Sequence, residues 1–287
     1  MNQSINNDLL AVFDFLNDSP GWFNVSDITP NYDYRKIYLR KLEKLVATGH
    51  AQRHPTKRGV YRKTESELEI MDFKNVEANP VDIWLPFELS DYVEIFDGNM
   101  ILVAGMKSCG KTAIMLNMVY ENMRNWDVHY FNSEMGASEL RKRLDLFPYL
   151  GIDDWDFKAY RRSENFGDAI EGGPDKLILI DFLEVHDEFY AIGRQLKSIH
   201  DNLKGAIAVV ALQKNPGSDV GLGGWRSAEV SRLYLSLDRG RVKITDAKNF
   251  RDPDRNPNGW IRYFKLLHGC QISHREGWQQ EVKKGEV

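Results

Sequence analysis

Cysteine is scarce in this chain of 287 residues: there are two, Cys109 and Cys270, far apart and matching no metal-ligand spacing. That excludes a disulfide-stapled scaffold and suits a reducing cytoplasm, the expected compartment. A dominant charge is also missing, since 38 Lys and Arg face 42 Asp and Glu for a net −4. Coating nucleic acid through overall charge is thereby excluded, while a local basic patch remains available for binding it. No apolar run approaches the ~18 residues of a membrane span, so no membrane partner is expected. The opening MNQSINNDLLAVFDFLND carries Asn and Asp where a secretory leader would carry positive charge, and it reads as mature structure. Internal repeats and low-complexity tracts are absent. What is present is an ordinary globular composition, 42% hydrophobic and 11% aromatic. At roughly 150 residues per domain the length suggests about two domains.

The charge that exists is unevenly placed. From Tyr34 to Lys63 there are ten Lys or Arg and one acid, Glu43. Asn7 to Leu16 has helical apolar spacing, and GWFNVSDITP follows as a turn and short segment. YRKIYLRKLEKLVATG then reads as an amphipathic helix with Tyr34, Tyr38, Leu42 and Leu45 on one face, stopped at Gly49. HAQRHPTKRGVYRKT reads as a hairpin turning at Pro55 to Gly59. Helices followed by a hairpin are the order of a winged helix-turn-helix, expected over residues 1–64. Its helix would present Lys36, Arg40 and Lys44 to a duplex major groove, with Lys57 and Arg58 at the wing tip. A solvated basic face in a protein-protein module is the alternative reading. Residues 65–86 are polar and acidic with Pro80 and Pro86, and serve as a linker.

Beyond the linker, over 87–287, the pattern becomes α/β. Apolar runs at Met100–Ala104, Val128–Phe131, Leu177–Ile180 and Ile207–Leu212 predict a mainly parallel central sheet separated by helices. Arg232–Leu237, Arg241–Ala247 and Ile261–Leu266 alternate like antiparallel strands near one edge.

The first run leads into Gly105, Met106, Lys107, Ser108, Cys109, Gly110, Lys111 and Thr112, which fit G-x-x-x-x-G-K-[ST], the P-loop. Such a loop closes backbone N–H groups around phosphates at a helix N-terminus. Lys111 would reach the β- and γ-phosphates of ATP, and the Thr112 hydroxyl would hold Mg2+. KLILIDFLEV ends a buried run in Asp181, the metal-side acid expected on a neighbouring strand. The residue after it is Phe182, so the carboxylate that polarises the attacking water is assigned to Glu134, with Glu184 as competitor. AIAVVALQKN ends in Gln213, placed to sense the γ-phosphate.

These strand ends, in GMKSCGKTAIMLNM, FNSEMGASELRKRL, LILIDFLEV and VVALQKN, resemble the RecA-like P-loop ATPase core, and most the ATPase domain of DnaB-type replicative helicases. The resemblance spans roughly Pro86 to Leu267, and FNSEMGASEL is what favours Glu134. It implies a homo-oligomer, ring or filament, with ATP between subunits. From AKNFRDP it makes Lys248 and Arg251 the cations offered to a neighbour's γ-phosphate. It also implies that the loop from Lys214 to Arg226 meets a DNA strand, Lys214 and Arg226 on phosphates and Trp225 on a base. The chain departs from that family in carrying the basic unit where those helicases have a helical collar domain.

The expected function is an ATP-hydrolysing, oligomeric DNA-binding protein of the phage or mobile-element type, acting in replication or recombination as a helicase-like motor, loader or remodelling filament. The alternative is a nucleotide-switched DNA-binding regulator or replication initiator that does not translocate. A small-molecule kinase is disfavoured, because neither an acceptor-binding segment nor a basic lid is evident.

Overall fold

The computed structural model describes Val12, Phe15, Leu16 and residues 21–64, 71–181 and 189–281. The chain divides into two compact units, Met1–Val76 and Glu77–Val287. The rest of the helix expected from Asn7, the first part of the linker, and Glu184 lie outside the described residues.

In the first unit, strand β1 (Phe23–Asn24) leads into a one-turn helix α1 (Val25–Ile28). Asn24 caps it by accepting from the Ser26 N–H at 3.0 Å, while Asp27 accepts from the Asn24 N–H at 2.7 Å. Helix α2 (Tyr32–Ala47) starts at the Asn31 cap and ends in a Schellman turn. There the N–H of His50 returns to the Leu45 carbonyl and that of Gly49 to Val46, which needs the positive φ of 78° that glycine takes easily. Strands β2 (Ala51–Arg53) and β3 (Val60–Lys63) form the expected hairpin, and β1 adds to β3 as a third strand. Val12, Leu16, Phe23, Val25, Leu42, Leu45, Ala51 and Tyr61 close a small core. Tyr34 was expected on the apolar face but is half exposed, and Tyr38 is only partly covered.

The second unit is built on a nine-stranded sheet. In chain order come β4 (Met100–Gly105), α3 (Lys111–Asn122), β5 (Asp127–Asn132), α4 (Ala137–Leu144), β6 (Lys158–Arg161), β7 (Lys176–Asp181), α5 (Phe189–Asp201) and β8 (Ile207–Gln213). Then follow β9 (Leu233–Asp238), β10 (Arg241–Ala247), β11 (Trp260–Tyr263), a separate hairpin of β12 (Lys265–Leu267) and β13 (Gln271–Ser273), and β14 (Gln279–Gln280). The spatial order is β14-β11-β10-β9-β4-β8-β7-β5-β6, parallel from β9 to β6.

The central runs are apolar throughout because both faces are covered. Ile101, Val103, Leu177, Leu179, Val209 and Ala211 pack with α3 on one side. Met100, Leu102, Ala104, Ile178, Val210 and Leu212 pack with Ile192, Leu196 and Ile199 of α5 on the other.

Three expectations need correction. Leu233–Asp238 is antiparallel on one side alone: it pairs antiparallel with β10 as expected, but on its other side it runs parallel to β4, because a crossover after β8 returns it beside the P-loop strand. Ile261–Leu266 is not one strand: it breaks at Phe264, whose N–H is taken by the Gly240 carbonyl. Val81–Leu85, assigned to the linker, belongs to the second unit. Ile83 and Leu85 are buried there, and Asn122 bonds both the N–H and the carbonyl of Trp84. No helix among the described residues is long and apolar enough to cross a membrane.

Candidate nucleotide site

The parallel strands all point their C-terminal ends the same way, and that edge gathers the P-loop, Asp181 and Gln213. Gly105 ends β4 in close quarters: a Cβ there would lie 2.5 Å from Cys109 Sγ, 3.0 Å from Lys111 Cγ and 3.2 Å from Leu237 Cβ. Ser108 and Gly110 take positive φ, 61° and 105°, which curls the loop into the first turn of α3. Loops with such residues form anion-binding concavities, and the helix N-terminus adds partial positive charge. The Lys111 ammonium donates to the carbonyls of Gly105 and Met106, both at 3.0 Å, and so lies folded over the loop. Cys109 is buried inside it, and burial pushes its thiol up.

Asp181 ends β7, but β7 does not adjoin β4. Strand β8 lies between them, so the expectation of a neighbouring strand is corrected to the next but one. The two sides still come within reach of each other: Thr112, one residue into α3, lies near enough to Asp181 for its hydroxyl to favour the ionised carboxylate. Asp181 is 5% exposed and accepts from the Tyr130 hydroxyl at 2.6 Å. Burial pushes its carboxyl up, against the pull of the Tyr130 and Thr112 hydroxyls and of the Lys111 charge. Gln213 ends the intervening strand, level with Gly105 and exposed.

Glu134 is exposed two residues past β5, in a turn fixed by Asn132, whose side chain accepts the Met135 N–H at 2.6 Å. Its negative charge adds to the burial that pushes the Asp181 carboxyl and the Tyr130 hydroxyl up.

Thr112 and Asp181 offer hard oxygen donors, and no group of three or more His, Cys, Asp or Glu among the described residues could hold a metal. That donor set fits magnesium, which keeps several waters and is held by one or two carboxylates plus substrate phosphate oxygens.

Lys214 does not face DNA. Its side chain is 1% exposed, bonded to Ser236 Oγ at 2.8 Å and to Asp238 Oδ1 at 2.7 Å. The loop it opens is closed on itself: Lys214 bridges Gly221, Leu222 returns to the Gln213 carbonyl, and the Gly221 N–H donates to the buried Tyr234 hydroxyl at 2.7 Å. Trp225 and Arg226 remain exposed at its far part.

Lys248 and Arg251 lie beyond the opposite edge of the sheet. Ala247 pairs with Leu233 and Leu233 with Ile101, and the next residue, Lys248, bonds Arg232, which in turn bonds Met100, so Lys248 lies about 16 Å along the strands from Gly105. Lys248 donates to the carbonyls of Ala228 and Glu229, and Arg251 borders a cavity also lined by Glu94 and Glu121. Neither reaches the P-loop of its own chain.

In the first unit, Lys36, Arg40 and Lys44 are exposed along α2, and Lys57 and Arg58 are exposed in the turn between β2 and β3. Sequence reasoning missed Tyr32 and Ile37, both exposed on the same helix. It also missed Tyr130, whose only sequence signal is a hydroxyl inside an otherwise ordinary strand.

No protein-family model matches this chain, and no curated protein is similar to it in sequence. Among solved structures it is similar to one described as the RadB recombinase. The identity is 15%, with 64% of this chain and 94% of that one covered and a TM-score of 0.47. That likeness is too distant to give any residue here a role.

Proposed function

We propose that this chain is a magnesium-dependent ATPase with a RecA-like core that assembles into oligomers on DNA, of the kind used in phage or mobile-element replication or recombination. The observation that carries the reading is the approach of Thr112 to the buried Asp181 across an intervening strand that ends in Gln213. It brings the last residue of the P-loop motif to a buried carboxylate at a strand end, from segments far apart in sequence. When bound, magnesium would shield the phosphate charge and polarise the phosphoryl group transferred to water, with ADP as the leaving group. Lys111 would leave its carbonyl partners for the phosphates, Thr112 and Asp181 would hold the cation, and Glu134 would accept the proton of the attacking water. Gln213 would report the γ-phosphate to the loop that follows it. Lys248 and Arg251 would serve a neighbour's site. The first unit, read as a winged helix-turn-helix, would bind duplex DNA through Lys36, Arg40, Lys44, Lys57 and Arg58, and Arg226 with Trp225 would meet a single strand.

The second reading, a nucleotide-switched regulator without translocation, is favoured by the burial of Lys214, which takes one cation away from the loop that a motor would move along a strand. One experiment separates them: ATP turnover without DNA, with duplex and with single strands, while light scattering follows mass. Stimulation by single strands with growth in mass supports the motor. Slow, flat turnover with ATP-dependent assembly on duplex supports the switch. Wild-type turnover in Lys111→Ala refutes both.

A further inference from the structure

Asp181 is a buried carboxylate at the end of a strand, and a carboxylate turns easily about its last bond, because that torsion has broad wells. A cation site needs one orientation of it. Thr112 cannot set that orientation alone, since its hydroxyl oxygen is itself assigned to the cation. Tyr130 is not among the groups assigned to the cation. It lies on β5, paired with Leu179 of β7, so Asp181 is its diagonal neighbour two residues on and on the same face. The ring is fully buried and packs edge-on against Phe157 at 6.1 Å between centroids. Its hydroxyl meets Asp181 Oδ2 at 2.6 Å, the short distance of a charge-assisted bond.

We propose that Tyr130 is the positioning residue of the metal side: its fixed hydroxyl holds the Asp181 carboxylate turned for the cation's water shell, with the site empty or filled. This rests on the reading of Thr112 and Asp181 as the magnesium side of an ATP site. A strand tyrosine that merely satisfies a buried acid would stabilise the fold and leave magnesium affinity alone. A positioning tyrosine changes magnesium affinity and leaves magnesium-free nucleotide binding alone.

The test is Tyr130→Phe in the full chain, which keeps the ring and removes the donor. Binding of a fluorescent ATP analogue is titrated in EDTA and then against magnesium, and manganese binding to the ADP complex is read by electron paramagnetic resonance. Loss of a partner behind a metal ligand typically lowers metal affinity 10–100-fold. The expected result is therefore unchanged affinity in EDTA, within about twofold, with half-saturating magnesium and the manganese Kd both raised about tenfold or more. In an Asp181→Ala background the same change is expected to shift neither further. If Tyr130→Phe also loses affinity in EDTA, 3-fluorotyrosine placed at position 130 keeps the packing and alters only the donor. It is expected to move half-saturating magnesium alone. Equal magnesium dependence in wild type and these variants overturns the proposal. A wild-type chain that binds nucleotide without regard to magnesium, or not at all, overturns instead the reading on which it rests.

Discussion

The buried ammonium of Lys214 makes an asymmetric prediction about its partner. Asp238→Ala leaves that charge with a single neutral partner, Ser236 Oγ at 2.8 Å, inside a site that exposes 1% of the lysine side chain. Breaking a buried pair from one side costs roughly 3–5 kcal/mol, because the remaining charge is neither solvated nor paired. Asp238 is itself 27% exposed, which puts the expected loss at the lower end, about 3 kcal/mol. For a unit of this size that is about 6–12 °C in Tm. Lys214→Met is expected to cost under about 1 kcal/mol, since Asp238 keeps water and the Arg241 guanidinium at 3.2 Å. The double variant removes the stranded charge and is expected to recover about 2 kcal/mol relative to Asp238→Ala alone. Urea unfolding followed by tryptophan emission reads this directly, because six of the seven tryptophans lie beyond residue 77. The reasoning is refuted if Asp238→Ala lies within about 0.5 kcal/mol of wild type, the range of an ordinary surface change. It is refuted equally if Lys214→Met proves the more damaging of the two.

Further outcomes are expected elsewhere. Glu134→Gln should bind magnesium-ATP normally and lose about 10²–10⁴-fold in single-turnover hydrolysis, the usual contribution of a general base. The same loss from Glu184→Gln, with Glu134→Gln active, would transfer the role. In the first unit burial and the bond to Glu43 push the Tyr61 hydroxyl up to about 12. A raised folded value means stability present below the ordinary tyrosine range near pH 10 and lost as pH climbs toward 12. Phenolate absorbance and alkaline unfolding of Tyr61→Phe, which should lack that loss, check it. Cys109 and Cys270 are both buried with thiols pushed up by burial, so mass spectrometry should find iodoacetamide labelling slow in the folded chain and fast in urea.

The parts of the fold that could be read in advance are those where local pattern and tertiary environment agree. Val103, Leu179 and Val210 lie in runs that are apolar because both sheet faces are covered, and the left-handed turn at Gly110 is written into the P-loop spacing itself. The parts that were not legible depend on strand order. Alternation in Leu233–Asp238 suggests a sheet edge, whereas Tyr234 and Ser236 on its second face are buried beneath the loop after β8. Lys214 is a lysine beside a glycine-rich loop, an exposed position on any sequence scale. Its burial follows from Asp238 arriving on β9, on the far side of β4. Tyr130 likewise acquires its partner only when β5 pairs with β7.

Lys248 and Arg251 stand off one end of a sheet whose other end carries the P-loop. If they complete a neighbour's site, completeness becomes a matter of counting. A lone subunit has an acceptor and a donor and no finished site. An open row of n subunits has n − 1 finished sites, with an idle pair of cations at one end and an unserved P-loop at the other. Only closure into a ring makes the numbers equal. Turnover per subunit would then climb with chain length toward a ceiling, and subunits lacking Lys248 and Arg251 would poison only the neighbour on one side.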